Sequence, residues 1–211
     1  MSEIDFRNMD YQKKVRMEHY AQFAVLLLLV DYEGEKHLLF ELRSKLLDDR
    51  AQPGDVSFPG GFCESDDIVK EALRETYEEV GILPEEIEVL GTMEPMVAGS
   101  KRVITPVVGY MPTFSFDKLK LNIYEVEEVF LVPLSYFMEN EPEIHYVDYT
   151  PAFYDDFPFD KIANGRDYRW TKRTDEVKFY FYKQYNIWGF TATMTHGFIQ
   201  ILRENLKEEE R

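Results

Sequence analysis

The stretch SFPGGFCESDDIVKEALRETYEEVGI, Ser57 to Ile82, decides how the rest of the chain reads. Its first residues close a Gly/Pro-punctuated loop running from Gln52 to Gly61. The remainder predicts a helix from about Asp66 to Val80, stopped by Gly81 and then Pro84. At about 100° per residue, Val69, Ala72, Leu73, Thr76, Tyr77 and Val80 fall on one face, an ordinary core-facing stripe. Asp67, Glu71, Glu75, Glu78 and Glu79 fall on the other, with Arg74 at its edge. Glu71, Glu75 and Glu79 stand at i, i+4 and i+8, where each like-charge pair costs a few tenths of a kcal/mol, only partly offset by Lys70 and Arg74. A hard cation with oxygen ligands would relieve that crowding; so would plain solvation. Helix geometry alone does not choose between them.

The context does. SFPGG followed by RETYEEVGI (Arg74 to Ile82) resembles the box of the Nudix hydrolases: a glycine, a following acid, then Arg-Glu-apolar-any-Glu-Glu-any-Gly-apolar. Counting back from Arg74 places the box glycine at Gly60 and the first acid at Asp66, where the family has Glu. The loop is one residue shorter than the usual alignment on the second glycine, and Thr76 replaces an apolar residue. The resemblance implies that Glu75 and Glu79 bind a divalent metal, Mg²⁺ or Mn²⁺, with Glu78 assisting. It further implies that Arg74 orients the carboxylates and that Gly60 and Gly61 let the backbone approach metal or phosphate closely.

Upstream, LLFELRSKLLDDRAQPGDVSFPGG (Leu38 to Gly61) resembles the coenzyme A pyrophosphatase branch of that family. Its Arg-Ser pair falls on Arg43 and Ser44, and its later arginine on Arg50. With Phe58, Gly60 and Gly61 these are the expected substrate-binding residues; a guanidinium fork suits phosphate oxygens. Downstream, YEVEEVFLVPLSYF (Tyr124 to Phe137) also resembles the branch and offers Glu125, and more weakly Glu128, as general base or extra ligand. The catalytic set is therefore Glu78, Arg74 and Glu125. The implied reaction is water attack on a diphosphate, releasing 3′,5′-ADP and 4′-phosphopantetheine from coenzyme A or its acyl forms. Competing readings are hydrolysis of another nucleoside diphosphate derivative such as ADP-ribose, or a catalytically silent nucleotide-binding module. A zinc or serine hydrolase has little support, because His19, His37, His145 and His196 show no ligand-like spacing.

Further out, Val25 to Val30 and His37 to Leu42 predict a hairpin across the Glu33-Gly34-Glu35 turn. Ile87 to Leu90, Arg102 to Met111 and Lys178 to Tyr185 read as strands, and Val129 to Val132 as a short apolar run. Pro133 opens a helical turn through Phe137. Thr191 to Leu206 reads as a terminal helix with Met194, Phe198, Ile201 and Leu202 on one side. Tyr146 to Trp170 has weak periodicity and no assignment. The class is α+β; the resemblance implies an α/β/α sandwich around a mixed sheet, with residues 1–20 as an extension and 21–211 as a single domain.

Composition limits the partners. The 211 residues are 45% hydrophobic and 15% aromatic, enough for a packed core. A net charge of −16 argues against nucleic acid, whose binding rests on Lys and Arg. Any phosphate-bearing small molecule would need local cations to reverse that sign. The one cysteine, Cys63, excludes an intrachain disulfide framework. The longest apolar run, Phe23 to Val30, falls short of the roughly twenty residues that span a bilayer. No apolar leader stands in Met1 to Gln22. The expectation is a cytoplasmic enzyme on a small phosphoanhydride substrate, without membrane or nucleic acid; a homodimer is compatible with this reading.

Overall fold

The computed structural model describes residues 20–48, 52–99 and 101–209; residues 1–19 of the expected N-terminal extension and Arg50 lie outside them. Strand β1 (Ala21–Tyr32) and β2 (Glu35–Arg43) form the expected hairpin, each longer than its apolar run. Glu33 and Gly34 both adopt positive φ, 51° and 83°, the tight turn that matches the twist of the flanking strands. Two short strands, β3 (Val56–Ser57) and β4 (Gly60–Phe62), arise within and beyond the predicted loop. Helix α1 (Ile68–Val80) follows, capped by the Asp67 carboxylate on the Lys70 amide at 3.1 Å and closed by Gly81 at φ 79°.

The remaining strands of the main sheet are β5 (Glu88–Thr92), β6 (Met96–Ala98), β7 (Arg102–Met111) and β8 (Val126–Pro133). Their spine runs β3-β2-β1-β7-β5, with β4 also on β1, β6 on β7 and β8 on β2. The β1–β7 pairing is parallel and the others antiparallel, so the sheet is mixed. Alternation along β1 sends Ala24, Leu26, Leu28 and Val30 to one side and Leu27 and Leu29 to the other. The first side packs on α1 through Ala72 and Val80. The second packs on helices α2 (Leu134–Glu139) and α3 (Gly189–Glu209), through Phe137, Phe198 and Ile199. Helices thus cover both faces, as the sandwich requires.

Several expectations shift. Tyr77, placed on the apolar face of α1, is 49% exposed. On α3 the buried side is Met194, Phe198 and Ile199, while Ile201 is 42% exposed; Leu202 is partly buried against the core. The unassigned region begins with strand β9 (Glu143–Tyr149), which joins β10 (Arg173–Tyr182) and β11 (Tyr185–Trp188) in a separate antiparallel sheet, order β11-β10-β9. The predicted strand Lys178 to Tyr185 is therefore the tip of the β10–β11 hairpin. Between β9 and β10 the chain folds on an aromatic knot, Phe153, Phe157, Phe159 and Trp170, with ring centroids 4.8 to 5.8 Å apart. Such pairing needs no regular periodicity, which is why the region resisted assignment.

Candidate active site

Strand β2 and helix α1 build the site from opposite sides. On β2, Leu39 belongs to the core under α1, and the period of two puts Glu41 and Arg43 on that same face. On α1, the acidic face turns out to be divided. Glu71 and Glu79 are buried at 4% exposure, Glu75 is half-buried and Glu78 exposed. Asp66, the shortened box acid, is exposed and stands before the helix.

Arg74 organises this face. Its guanidinium donates to Glu71 (2.8 Å), Glu75 (2.6 Å) and Glu78 (2.8 Å), and at 3.3 Å to the Phe62 carbonyl on β4. Glu71 is further held by the Ser65 hydroxyl at 2.7 Å and the Glu64 amide at 3.2 Å. The Ser65 hydrogen bond, then Arg74, pulls its carboxyl down to about 2. Glu71 had been one more acid on a crowded face; it is the anchor of Arg74.

Glu79 points inward and accepts the Gly60 amide at 2.7 Å. Gly60 has φ 148°, and a Cβ there would collide with the Ala24 carbonyl and lie 2.5 Å from the Val25 Cα. A Cβ on Gly61 would lie 2.5 Å from the Glu75 carboxylate. Gly60 therefore permits the close approach of β4 to β1, and Gly61 that of β4 to the Glu75 side chain on α1. Burial, then the neighbouring Glu41, pushes Glu79 well above the usual carboxylate range. Burial likewise raises Glu41 and Glu75, with Glu125 adding repulsion to both. Glu125 is half-buried at the mouth of this group. Its loop is tied to the helix end, since the Asn122 amide donates to the Glu79 carbonyl at 2.8 Å.

The other expected residues divide. Arg43 lines a cleft of about 490 Å³ between the sheet and α3, with Gly60, Gly61, Phe23, Arg102, Phe190 and Met194; its link to the acids is through Glu41, 3.6 Å from its guanidinium. Phe58 reaches that cleft only as floor: it is 1% exposed and stacks on Phe40 at 4.7 Å. Ser44 is buried, donating its hydroxyl to the Ile123 carbonyl at 3.1 Å and accepting the Leu46 amide at 3.2 Å. The structure gives it the work of tying the end of β2 to the Glu125 loop. Glu128 projects to the sheet face away from α1, where it accepts the Tyr185 hydroxyl at 2.7 Å. It borders a separate hollow of about 650 Å³, away from Arg43.

Sequence reading missed Glu41. The available signal was a lone acid at an inward position of an apolar strand, HLLFELR. Glu41, Glu75, Glu79 and Glu125 supply only hard oxygen donors, and Glu41 Oε2 is buried without a hydrogen-bond partner. This donor set fits a hard divalent cation. Among the described residues no three such side chains already stand as a formed ligand set; Arg74 holds Glu71, Glu75 and Glu78 instead.

Residues 21–145, which carry these features, match the NUDIX domain model. The chain belongs to the Nudix family and is a hydrolase of pyrophosphate bonds. It is 33% identical over 184 residues to the human mitochondrial coenzyme A diphosphatase NUDT8, covering 86% of this chain and 70% of that one. To the mouse peroxisomal coenzyme A diphosphatase NUDT7 it is 40% identical over 128 residues, 59% of this chain and 51% of the other. It is also 33% identical to the uncharacterized Nudix hydrolase NudL of Photorhabdus laumondii over 187 residues, 88% and 87% of the two chains.

Proposed function

We propose that this protein hydrolyses the diphosphate bond of coenzyme A or acyl-coenzyme A to 3′,5′-ADP and (acyl-)4′-phosphopantetheine, using Mg²⁺ or Mn²⁺. The observation that carries the reading is the position of Arg43. It comes from the stretch that resembles the coenzyme A branch and lines one cleft with Gly60 and Gly61, the cradle of Glu75 and Glu79. The likeness to two proteins named as coenzyme A diphosphatases supports the same substrate.

Glu75 and Glu79 are the residues assigned to the cation, with Glu78 at their exposed edge. When bound, the ion would neutralise phosphate oxygens and lower the pKa of the attacking water. Arg74 keeps Glu75 and Glu78 oriented, and Arg43 would pair with a substrate phosphate. Glu125 is the stronger candidate to accept the proton from water, because the Glu78 carboxylate is already engaged by Arg74 at 2.8 Å.

The test is purified protein with Mg²⁺ or Mn²⁺ and a panel of coenzyme A, acetyl-coenzyme A, ADP-ribose and NADH, with products separated by chromatography. We expect 3′,5′-ADP from the first two, dependent on the metal. Faster cleavage of ADP-ribose would move the specificity elsewhere in the family. Nucleotide binding without turnover would indicate a silent module.

A further inference from the structure

Glu41 is assigned no part in the proposed reaction, yet it is the most deeply buried carboxylate among the described residues. No part of it reaches solvent. Oε1 accepts the Ser57 hydroxyl at 2.9 Å and lies 3.6 Å from Arg43 Nη1. Oε2 is buried and, among the described residues, is the one fully buried side-chain polar atom without a hydrogen-bond partner. An orphaned oxygen of this kind forfeits hydration with no return and calls for an explanation. The charged groups acting on Glu41 are Arg43 on its own strand, Glu75 and Glu79 on α1, and Glu125 at the entry to β8. Arg43, at Glu41, and Arg74, at Glu75, are two guanidiniums against four carboxylates, so the pocket keeps an excess of negative charge with one oxygen lacking any partner.

We infer that Glu41 Oε2 is a ligand of the divalent cation held against α1, so that the site draws oxygen from the sheet as well as from the helix. The inference rests on the metal-dependent reading of the site and extends it to a residue outside the box. Its physical basis is rigidity. Strand β2 is hydrogen-bonded to β1, β3 and β8, with Glu41 paired to Ser57 and Val129. Glu41 is thus fixed in depth, whereas Glu75 must give up its contact with Arg74 to turn toward an ion. A preset oxygen at the floor of the site raises affinity by adding charge and by reducing what must be ordered on binding. Without the ion, Glu41 and Glu79 repel, so the same residue that strengthens cation binding weakens the empty protein.

Manganese titration of the full chain tests this, with free Mn²⁺ followed by electron paramagnetic resonance in wild type, Glu41→Gln and Glu128→Gln. The amide keeps the Ser57 hydrogen bond but loses the charge. We expect Glu41→Gln to bind Mn²⁺ at least about tenfold more weakly, and to melt higher than wild type in chelator while gaining less from the metal. Glu128→Gln, on the opposite face, is expected to bind as wild type. Equal affinity in Glu41→Gln and wild type overturns the inference and leaves the metal reading standing. Equal weakening in both variants also overturns it, as an effect of net charge alone. A wild type that binds no Mn²⁺ removes the metal reading and this inference together. Anomalous scattering from wild-type crystals grown with Mn²⁺ decides independently of how the variant folds. A peak bonded to Glu41 Oε2 supports the inference, and one bonded only to α1 carboxylates overturns it.

Discussion

The Glu79 carboxylate accepts a hydrogen bond from the Gly60 backbone amide at 2.7 Å, joining α1 to β4. This contact requires β4 to lie against β1, where Gly60 pairs with Val25, and it leaves no space for a side chain at position 60. A buried carboxylate is tolerated there because a main-chain donor meets one of its oxygens.

Replacing the two glycines separates stability from catalysis. Gly60→Ala must displace backbone and adopt a disfavoured φ, at a cost of about 2–3 kcal/mol, read as a lower denaturation midpoint. Gly61 carries no such φ, and the atoms nearest to its added Cβ are those of the Glu75 carboxylate, the far end of a side chain. Gly61→Ala is expected to fold normally and to lose about tenfold or more in turnover by displacing that acid. Equal loss of stability in both variants would contradict this account.

Glu79→Gln should reduce turnover by roughly 100-fold or more while circular dichroism stays native, since the amide oxygen can still accept the Gly60 hydrogen bond. Arg43→Ala should act on KM, raising it by about ten- to a hundredfold, as loss of a charged hydrogen bond predicts. Steady-state kinetics on coenzyme A would distinguish the two patterns. Retained activity in Glu79→Gln would remove the metal role from that residue.

Glu128→Gln is expected to leave both kinetic constants at wild-type values, because the carboxylate faces away from α1. Tyr185→Phe, which removes the partner hydroxyl, should cost about 1 kcal/mol in chemical denaturation and nothing in turnover. The Tyr185 ring stays in place, stacked on Phe130 at 3.6 Å. A fall in kcat for Glu128→Gln would return it to the catalytic candidates.

Glu71 predicts an acid-side dependence. Its carboxyl is held at about 2, below the ordinary 4.5, chiefly by Ser65 and then Arg74. Between these values the unfolded chain binds the proton and the folded one does not. Its stabilising effect is therefore complete above 4.5 and disappears as the pH falls toward 2. Melting temperatures of wild type and Glu71→Gln should differ at neutral pH and converge across that window. A constant gap down to the lower limit would show that Glu71 is not ionised when folded.

Local order along the chain was legible before any coordinates. The hairpin β1–β2, strand β7 and helix α1 rest on periodicity, turn residues and caps within a few positions of one another, and β7 coincides with its predicted span. Arg74, Glu75, Glu78 and Glu79 were singled out by their resemblance to the Nudix box, while helix geometry set only which of them share a face. What separated Glu79 from Glu78 was packing: one is buried against β4, and the other is held by Arg74 at the rim. Similarly, YEVEE presented Glu125 and Glu128 as neighbours in one acidic run. Pairing of β8 with β2, with an irregularity between Leu42 and Arg43, sent Glu128 across the sheet. Glu41 entered the site the same way, through the order and register of strands distant in sequence. Side-chain alternation places a residue on a face, but only the completed sheet decides what that face meets.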